Sequence, residues 1–201
     1  MTTLTFPALS RDPHTWTWRK ISNTQTFESP LTRGVQTLAL PGARWACAAT
    51  WESLQPADAA LLRAFLAQLQ GTAGRFYLGN LAHRAPRGTA AGTPLVVGGM
   101  QTGKTLATDG WTPGATLLAG DFIGYNGGAE LRMVVADATA DGAGAMSISL
   151  DEPIRVSPVD NAAIVISRPT CIMRLSGDEA AWNYSPGGFA SFSLDAVEVF
   201  A

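Results

Sequence analysis

Charged side chains are scarce in this chain: Asp, Glu, Lys and Arg make up 15% of its 201 residues, against about a quarter in an average soluble domain. The formal net charge is −2, and no basic run occurs, which argues against a dedicated nucleic-acid-binding face. Lysine occurs only at Lys20 and Lys104. Arginine and a weakly charged surface both suit contacts with other proteins, although genome composition also explains the arginine bias.

Cysteine and histidine are almost missing as well. The two cysteines, Cys47 and Cys171, are far apart in the sequence, which favours small buried apolar residues over a disulfide framework. His14 and His83 are the only histidines, and no Cys or His pair has the spacing of metal ligands. We therefore expect no metal, no cofactor and folding in a reducing cytoplasm.

Long apolar runs and catalytic motifs are also absent. No apolar stretch reaches the ~18 residues of a membrane-spanning helix, and the N-terminal residues lack the basic and apolar regions of a signal peptide. No G-x-S-x-G motif supports Ser-His-Asp catalysis. The neighbouring carboxylates Asp151-Glu152 and Asp178-Glu179 are expected in solvated turns. We expect a protein that is not an enzyme.

What the chain does have is 46% hydrophobic residues with 21 glycines and 12 prolines, a mixture typical of short strands and many turns. Residues 14–20, 35–40, 44–54 and 74–80 are predicted strands. In the third of these, alternation places Trp45, Cys47, Ala49 and Trp51 on one buried face. Pro41-Gly42 predicts a hairpin turn between the second and third strands.

One helix is predicted, from Pro56 to about residue 70. Pro56 suits its first turn, Asp58 suits the positive end of the helix dipole, and Gly71 ends it. The expected buried stripe consists of Leu61, Leu62, Phe65, Leu66 and Leu69.

The composition changes after this segment. Residues 82–93 are small, polar and rich in turn formers, which indicates a linker. From Pro94 to about Arg168 only short strand patterns occur, and they predict a small β-barrel of the OB type. The predicted fold is mainly β: a β-sandwich with one short α-helix, residues 1–88 plus 169–201, interrupted by a small inserted β-barrel, residues 89–168.

The octapeptide GGMQTGKT, from Gly98 to Thr105, matches the phosphate-loop pattern G-x-x-x-x-G-K-[ST]. Such a loop needs a long helix after its Lys-Thr pair. Here Gly110, Pro113 and Gly114 follow, and these residue types disfavour a helix. We interpret residues 98–105 as an ordinary turn that binds no nucleotide.

Six tryptophans offer another kind of site, because indole rings stack on sugars. Trp45 and Trp51 lie in the apolar register of a strand, which favours core packing. Trp111 or Trp182 remains available for stacking on a glycan, so a carbohydrate-binding module is an alternative function.

Three segments together carry a family resemblance: LPGARWACAATWESLQPADAALLRAFLAQLQGTAGRFYLGN, GDFIGYNGGAELRMVVADATADGAGAMSISLDEPIRVSP and RPTCIMRLSGDEAAWNYSPGGFASFSLDAVEVF. The chain resembles the distal tail protein of long-tailed, siphovirus-like bacteriophages. The middle segment resembles a small barrel inserted in such tail proteins.

The resemblance implies a structural virion protein at the tail tip, made in the host cytoplasm. It would form a ring, commonly a hexamer, that joins the tail tube protein to the baseplate hub and to tail fibres. DNA would pass through the channel without sequence-specific binding. Another minor tail protein or a tail tube protein is the alternative within the same class.

Overall fold

The computed structural model describes residues 2–200, and its secondary structure is mainly β with a single α-helix in that range. The elements in chain order are β1 Thr3–Thr5, β2 Thr15–Ile21, β3 Thr24–Glu28, β4 Val35–Ala39, β5 Arg44–Leu54, α1 Pro56–Leu69, β6 Arg75–Leu78, β7 Gly92–Val96, β8 Thr105–Trp111, β9 Thr116–Leu117, β10 Phe122–Tyr125, β11 Glu130–Met133, β12 Ala138–Thr139, β13 Met146–Ser149, β14 Cys171–Leu175, β15 Trp182–Tyr184 and β16 Ala190–Glu198.

The largest sheet has the strand order β1-β6-β14-β16-β5-β2, and β15 also pairs with β16. It unites strands from both ends of the chain: β16 runs antiparallel to β5, and β14 runs antiparallel to β6. Only the three-residue edge strand β1 is parallel to its neighbour. The segments before and after the predicted insertion therefore share one sheet.

Strand β5 lies inside this sheet, between β16 and β2. Trp45, Cys47, Ala49 and Trp51 are all buried, so the predicted alternation is confirmed. Cys47 and Cys171 are both buried free thiols. The nonpolar surroundings raise the pKa of Cys47 to about 12, as expected for a thiol that packs as a small apolar residue.

Helix α1 packs its apolar side on the core of this sheet. Leu62, Phe65, Leu66 and Leu69 are buried as predicted, but Leu61 is 50% exposed, so its place in the stripe was wrong. The buried stripe instead continues towards the N-terminus through Asp58 and Ala59, at i−4 and i−3 from Leu62, while Leu61 is rotated about 100° away from Leu62.

Two details of α1 concern its ends. The buried Asp58 carboxylate accepts hydrogen bonds from the hydroxyl and the backbone N–H of Ser10, so it ties the N-terminal arm to the first turn. At the other end, Gln70 takes a left-handed conformation with φ 52°, and Gly71 follows with φ 68°. The helix therefore ends at Leu69, two residues before the glycine that was predicted to end it.

The predicted hairpin at Pro41-Gly42 was wrong. Strand β4 pairs with β3, and β5 pairs with β2 and β16. Pro41 and Gly42 therefore connect two different sheets. The long pairing of β5 with two neighbours outweighs a local turn signal, because it buries the whole apolar face of β5.

Residues 92–166 form shorter sheets that meet through isolated bridges. Strand β7 pairs with β8, β8 with β13, and β10 with β11. Single bridges then join Val134 to Leu150, Gly124 to Val165, and Ala163 to Leu95 in β7. The pairings thus form a closed circuit that begins and ends at β7. This circuit surrounds a second cluster of buried apolar residues.

Two expectations for this region need correction. Residues 162–167 are one of the short strand patterns predicted between Pro94 and about Arg168, but they form no strand and contribute only the two bridges at Ala163 and Val165. Strand β8 was not predicted, because Gly110 interrupts its alternation with a φ of 73°. Leu106 and Trp111 nevertheless belong to the second cluster, and Thr108 between them is buried.

The region joins the large sheet at two places. Arg168 N donates a hydrogen bond to Arg84 O at 3.1 Å, so the chain leaves and returns at neighbouring points. Phe122 and Leu131 also pack in the core of the large sheet, with the Phe122 ring 5.4 Å from that of Trp45. The boundary at residues 88–89 and 168–169 stays a prediction. No helix in residues 2–200 is long and apolar enough to cross a membrane.

Candidate assembly surface

The hairpin of β3 and β4 stands apart from both apolar cores. Every residue of the two strands is exposed, and within the described part of the chain each strand pairs only with the other. Both outer edges therefore keep backbone N–H and C=O groups free for pairing with another chain. This strand pair, residues 24–39, is called the β3–β4 hairpin below.

Large apolar side chains cover this hairpin. Phe27 is 65% exposed, Leu31 92%, Val35 58% and Leu38 57%. The register pairs Phe27 with Gln36 and Gln25 with Leu38, so one face alternates apolar and amide side chains. Such a surface is costly to leave in water and marks a site of protein contact.

Charge is nearly absent from the two strands. Glu28 is their only charged residue, and it accepts a hydrogen bond from Arg33 Nη1 at 2.9 Å. Both residues are exposed near the turn, so this pair contributes little stability. The other side chains of the two strands are uncharged, so two copies of the hairpin can meet without placing like charges opposite one another.

The base of the hairpin is closed by short contacts. Leu40 N donates to Asn23 O at 2.8 Å, and Asn23 Nδ2 donates to Pro41 O at 2.8 Å. Residues on either side of the hairpin are therefore adjacent, which fixes where it leaves the large sheet.

Strand β2 precedes the hairpin and forms an edge of the large sheet. Trp16 stacks on Trp18 at 5.8 Å between ring centroids, and Trp18 stacks on Trp45 at 5.7 Å. With the contact of Trp45 to Phe122, the aromatic row runs from the sheet edge to the 92–166 region. Trp16 Nε1 also donates to Asn80 Oδ1 at 3.0 Å.

The carboxylates Asp151 and Glu152 do not form the solvated turn that was expected. Lys20 Nζ lies 3.0 Å from Asp151 Oδ2 and 2.7 Å from Glu152 Oε1, and the Asp151 side chain is buried. The two residues lie beyond the end of β13, so strand alternation does not separate their side chains. Burial lowers the pKa of Lys20, but the hydrogen bonds to Glu152 and Asp151 outweigh it, so that the pKa is raised overall.

The other carboxylate pair, Asp178-Glu179, is exposed as expected. Asp178 Oδ1 accepts hydrogen bonds from Thr72 N at 2.8 Å and Thr72 Oγ1 at 2.7 Å. These bonds lower the pKa of Asp178. The carboxylate thereby holds the loop before β15 against the end of α1.

Residues 98–105 connect β7 to β8, and Thr105 begins a strand. Gly98 N donates to Asp160 Oδ1 at 2.7 Å, so the backbone N–H of the first glycine in the octapeptide is already bound to a carboxylate of the chain itself. Gln101 accepts from Ala107 N at 2.7 Å and donates to Val97 O at 2.8 Å. The first glycine amide and the Gln101 side chain are thus bound within the chain; the absence of nucleotide binding stays a prediction.

The tryptophans divide into buried and exposed sets. Trp111 is buried, and its Nε1 donates to Thr108 Oγ1 at 2.8 Å, so it is not available to stack on a glycan. Trp182 remains partly exposed and packs on Phe192 at 5.9 Å. The carbohydrate-binding alternative therefore depends on Trp182 alone.

A cleft of about 480 Å³ lies between the N-terminal arm and the large sheet, within the size range of ligand sites. Arg11, Arg84 and Arg168 contribute to its lining, and Asp12, its one carboxylate, forms an ion pair with Arg84. Ser10 is bound to Asp58. The cleft thus offers three arginines, and the Ser10 hydroxyl in its lining donates to the Asp58 carboxylate, which is not part of the lining.

Within residues 2–200 no group of three or more His, Cys, Asp or Glu side chains is arranged to hold a metal ion. The sequence analysis missed the exposed hairpin, because β3 was not among its predicted strands. The available signal was the alternation in TQTFE and VQTLA without a buried partner strand.

Comparison with models of protein families gives no match, and a search of curated proteins by sequence gives none either.

Proposed function

We propose that the chain is a structural virion protein at the distal end of a phage tail tube, where copies of it form a closed ring. The single observation that carries the proposal is the β3–β4 hairpin, which exposes Phe27, Leu31, Val35 and Leu38 and leaves both of its edges unpaired. An isolated copy of the chain has no means of burying this surface.

The geometry of the hairpin favours a second copy of the chain as the occupant. Its two opposite edges are both open, so each copy offers one edge to each of two neighbours. This gives a head-to-tail interface, which forms a ring when the rotation closes. The low charge of the strands permits like strands to approach. The resemblance to distal tail proteins supports a six-fold ring.

The remaining parts of the proposal follow from the same resemblance. The ring joins the tail tube protein to the baseplate hub, contacts tail fibres and encloses a channel through which DNA passes without sequence-specific binding. We propose that the large sheet and α1 belong to a β-sandwich that forms the ring. The 89–168 region is a small OB-like barrel inserted into that sandwich, and its closed set of pairings supports this reading.

The test replaces residues 24–39 with a short Gly/Ser turn between Asn23 and Leu40, whose backbones are already hydrogen bonded. Native mass spectrometry at tens of micromolar should give rings for the intact protein and monomers for the variant, with closely similar melting temperatures. The matched control is Val159→Asp, which changes an exposed apolar residue outside the hairpin and should leave the rings intact. Rings that persist without the hairpin would refute its role, and an intact protein absent from tail tips would refute the location.

A further inference from the structure

One segment of the 89–168 region contacts the chain on both sides of the β3–β4 hairpin. Before the hairpin, Lys20 in β2 binds Asp151 and Glu152. After the hairpin, the carbonyl oxygen of Ala43 accepts a hydrogen bond from Arg155 Nη2. Residues 151–155, called the clamp segment below, therefore hold both ends of the stretch that leads into and out of the hairpin.

The clamp segment is itself fixed to its surroundings. Asp151 exchanges two hydrogen bonds with Met133: Asp151 N donates to Met133 O at 3.0 Å, and Met133 N donates to Asp151 Oδ1 at 3.1 Å. Ile154 N donates to Gly103 O at 2.8 Å. The Asp151 side chain is only 4% exposed. The pairing of Lys20 with Trp45 and of Ile21 with Arg44 places the end of β2 on β5, and the two fixed carboxylates add a side-chain contact from the 89–168 region.

The other end of the clamp segment is anchored in the large sheet. Arg155 Nη1 donates to Glu198 Oε1 at 2.9 Å, and its guanidinium lies 3.6 Å from the ring centroid of Phe200. Glu198 is buried and also accepts from Trp45 N at 2.8 Å. The guanidinium that binds Ala43 is thus held by a carboxylate that also accepts from the backbone of Trp45, two residues after Ala43.

We propose that Lys20 and Arg155 are positioning residues that fix the direction of the β3–β4 hairpin relative to the large sheet. The hairpin has no regular pairing to the rest of the described chain, so its direction depends on its two ends. Ring closure requires one constant angle between neighbouring copies. That the hairpin direction matters for ring closure rests on the proposed function. That Lys20 and Arg155 fix the direction of the hairpin concerns the single chain and does not depend on it.

The first experiment measures the direction of the hairpin by electron spin resonance distance measurement. Spin labels are placed at Leu31→Cys on the hairpin and Leu61→Cys on α1, both exposed sites, while Cys47 and Cys171 are buried. The labelled protein should give a single narrow distance peak. Lys20→Met in the same background should lose that peak to a broad distribution, and Lys20→Arg should restore it.

Lys104→Met is the matched control. Lys104 Nζ donates to Asp151 O at 3.3 Å, so this variant removes a lysine that contacts the clamp segment without touching the ends of the hairpin. It should keep the narrow peak. If Lys20→Met lowers the melting temperature strongly, Glu152→Ala removes one acceptor of Lys20 and should also broaden the peak. A peak as narrow in both variants as in the parent would overturn the inference.

The second experiment compares the ring population of Lys20→Met, Lys104→Met and the parent by native mass spectrometry. A specific loss of uniform rings in Lys20→Met supports the extension to assembly, and equal rings in all three contradict it. The two proposals fail separately. A parent protein that never forms rings refutes the proposed function, while the distance peak still decides whether Lys20 positions the hairpin.

Discussion

Arg155, which is partly exposed, forms an ion pair with the buried Glu198, with Nη1 2.9 Å from Oε1, although they are 43 positions apart and belong to the two predicted parts of the fold. Arg132 Nη1 lies 4.0 Å from the same carboxylate and donates through Nη2 to Glu130 at 2.5 Å. A buried charge is tolerated when it is paired and hydrogen bonded. Each part therefore supplies the countercharge that the other needs.

This pairing changes how an excision experiment should be designed. Replacing residues 92–167 with a Gly/Ser linker removes Arg132 and Arg155, and leaves Glu198 with only the Trp45 N–H. An uncompensated buried charge costs about 3–5 kcal/mol. We expect the excision variant that also carries Glu198→Gln to fold cooperatively and to melt at a higher temperature than excision alone.

The control is Glu198→Gln in the intact chain, which should lower stability because it leaves Arg155 without its carboxylate, while Arg132 keeps only Glu130. Calorimetry measures both effects, and their opposite signs identify the ion pair as the cause. Aggregation of both excision variants with every linker length would show that the two parts share one core, and that the boundary at 89–168 is wrong.

A second prediction concerns Phe65 in α1. Its ring meets those of Phe6 and Phe76 edge to face, each at 5.3 Å between centroids. Phe65→Ala should therefore cost about 3–5 kcal/mol of unfolding free energy. Leu61→Ala, on the same helix and half exposed, should change stability by no more than about 0.5 kcal/mol. Denaturant titration compares the two, and an equal loss in both would mean that Leu61 is buried in solution.

The features predicted correctly from the sequence are those that depend on residues close together in the chain. The buried face of β5 and most of the α1 stripe were predicted, because the period of a strand or helix is contained in a few consecutive residues. Leu61 was wrongly placed in the buried stripe, because five closely spaced apolar residues do not define which of them lies at the edge of the stripe. Strand β8 was missed because Gly110 breaks its alternation.

The candidate assembly surface was harder to predict. Whether Phe27 and Leu38 are buried or exposed depends on whether another strand covers them, and the local pattern is the same in both cases. The contacts of Lys20 with Asp151 and of Arg155 with Glu198 join residues far apart in the sequence. No local spacing identifies such pairs, so the clamp segment is visible only in three dimensions.

A third prediction concerns residues 98–105. Because Asp160 occupies the Gly98 amide and Thr105 enters a strand, the first glycine amide of the motif is not free, and the helix that phosphate binding uses is replaced by a strand. Isothermal titration with ATP and magnesium should give no heat of binding. A Kd below ~100 μM, equivalent to ~5.5 kcal/mol, that disappears in Lys104→Ala would contradict this prediction.

The last prediction concerns His83, which lies where the chain enters the 89–168 region. Its Nε2 accepts a hydrogen bond from Phe122 N at 3.3 Å, and its ring lies 5.1 Å from that of Phe122. Burial lowers the pKa of His83 below its ordinary value of 6.5, and the nearby Asp121 only partly opposes this effect.

The sign of the effect on stability follows from this direction. A depressed pKa in the folded chain means that the neutral imidazole favours folding. The contribution is fully present above pH 6.5 and is lost as the pH falls through the lower pKa of the folded state, where protonation also removes the acceptor for Phe122 N. An NMR titration of the His83 ring, assigned with a His14→Gln variant, should give a midpoint below 6.5. His83→Gln should flatten the dependence of the melting temperature on pH between about 5 and 7, the range in which histidine titrates. A midpoint at or above 6.5 would mean that the imidazole is solvated in the folded protein and that the contact with Phe122 does not hold the entry to the 89–168 region.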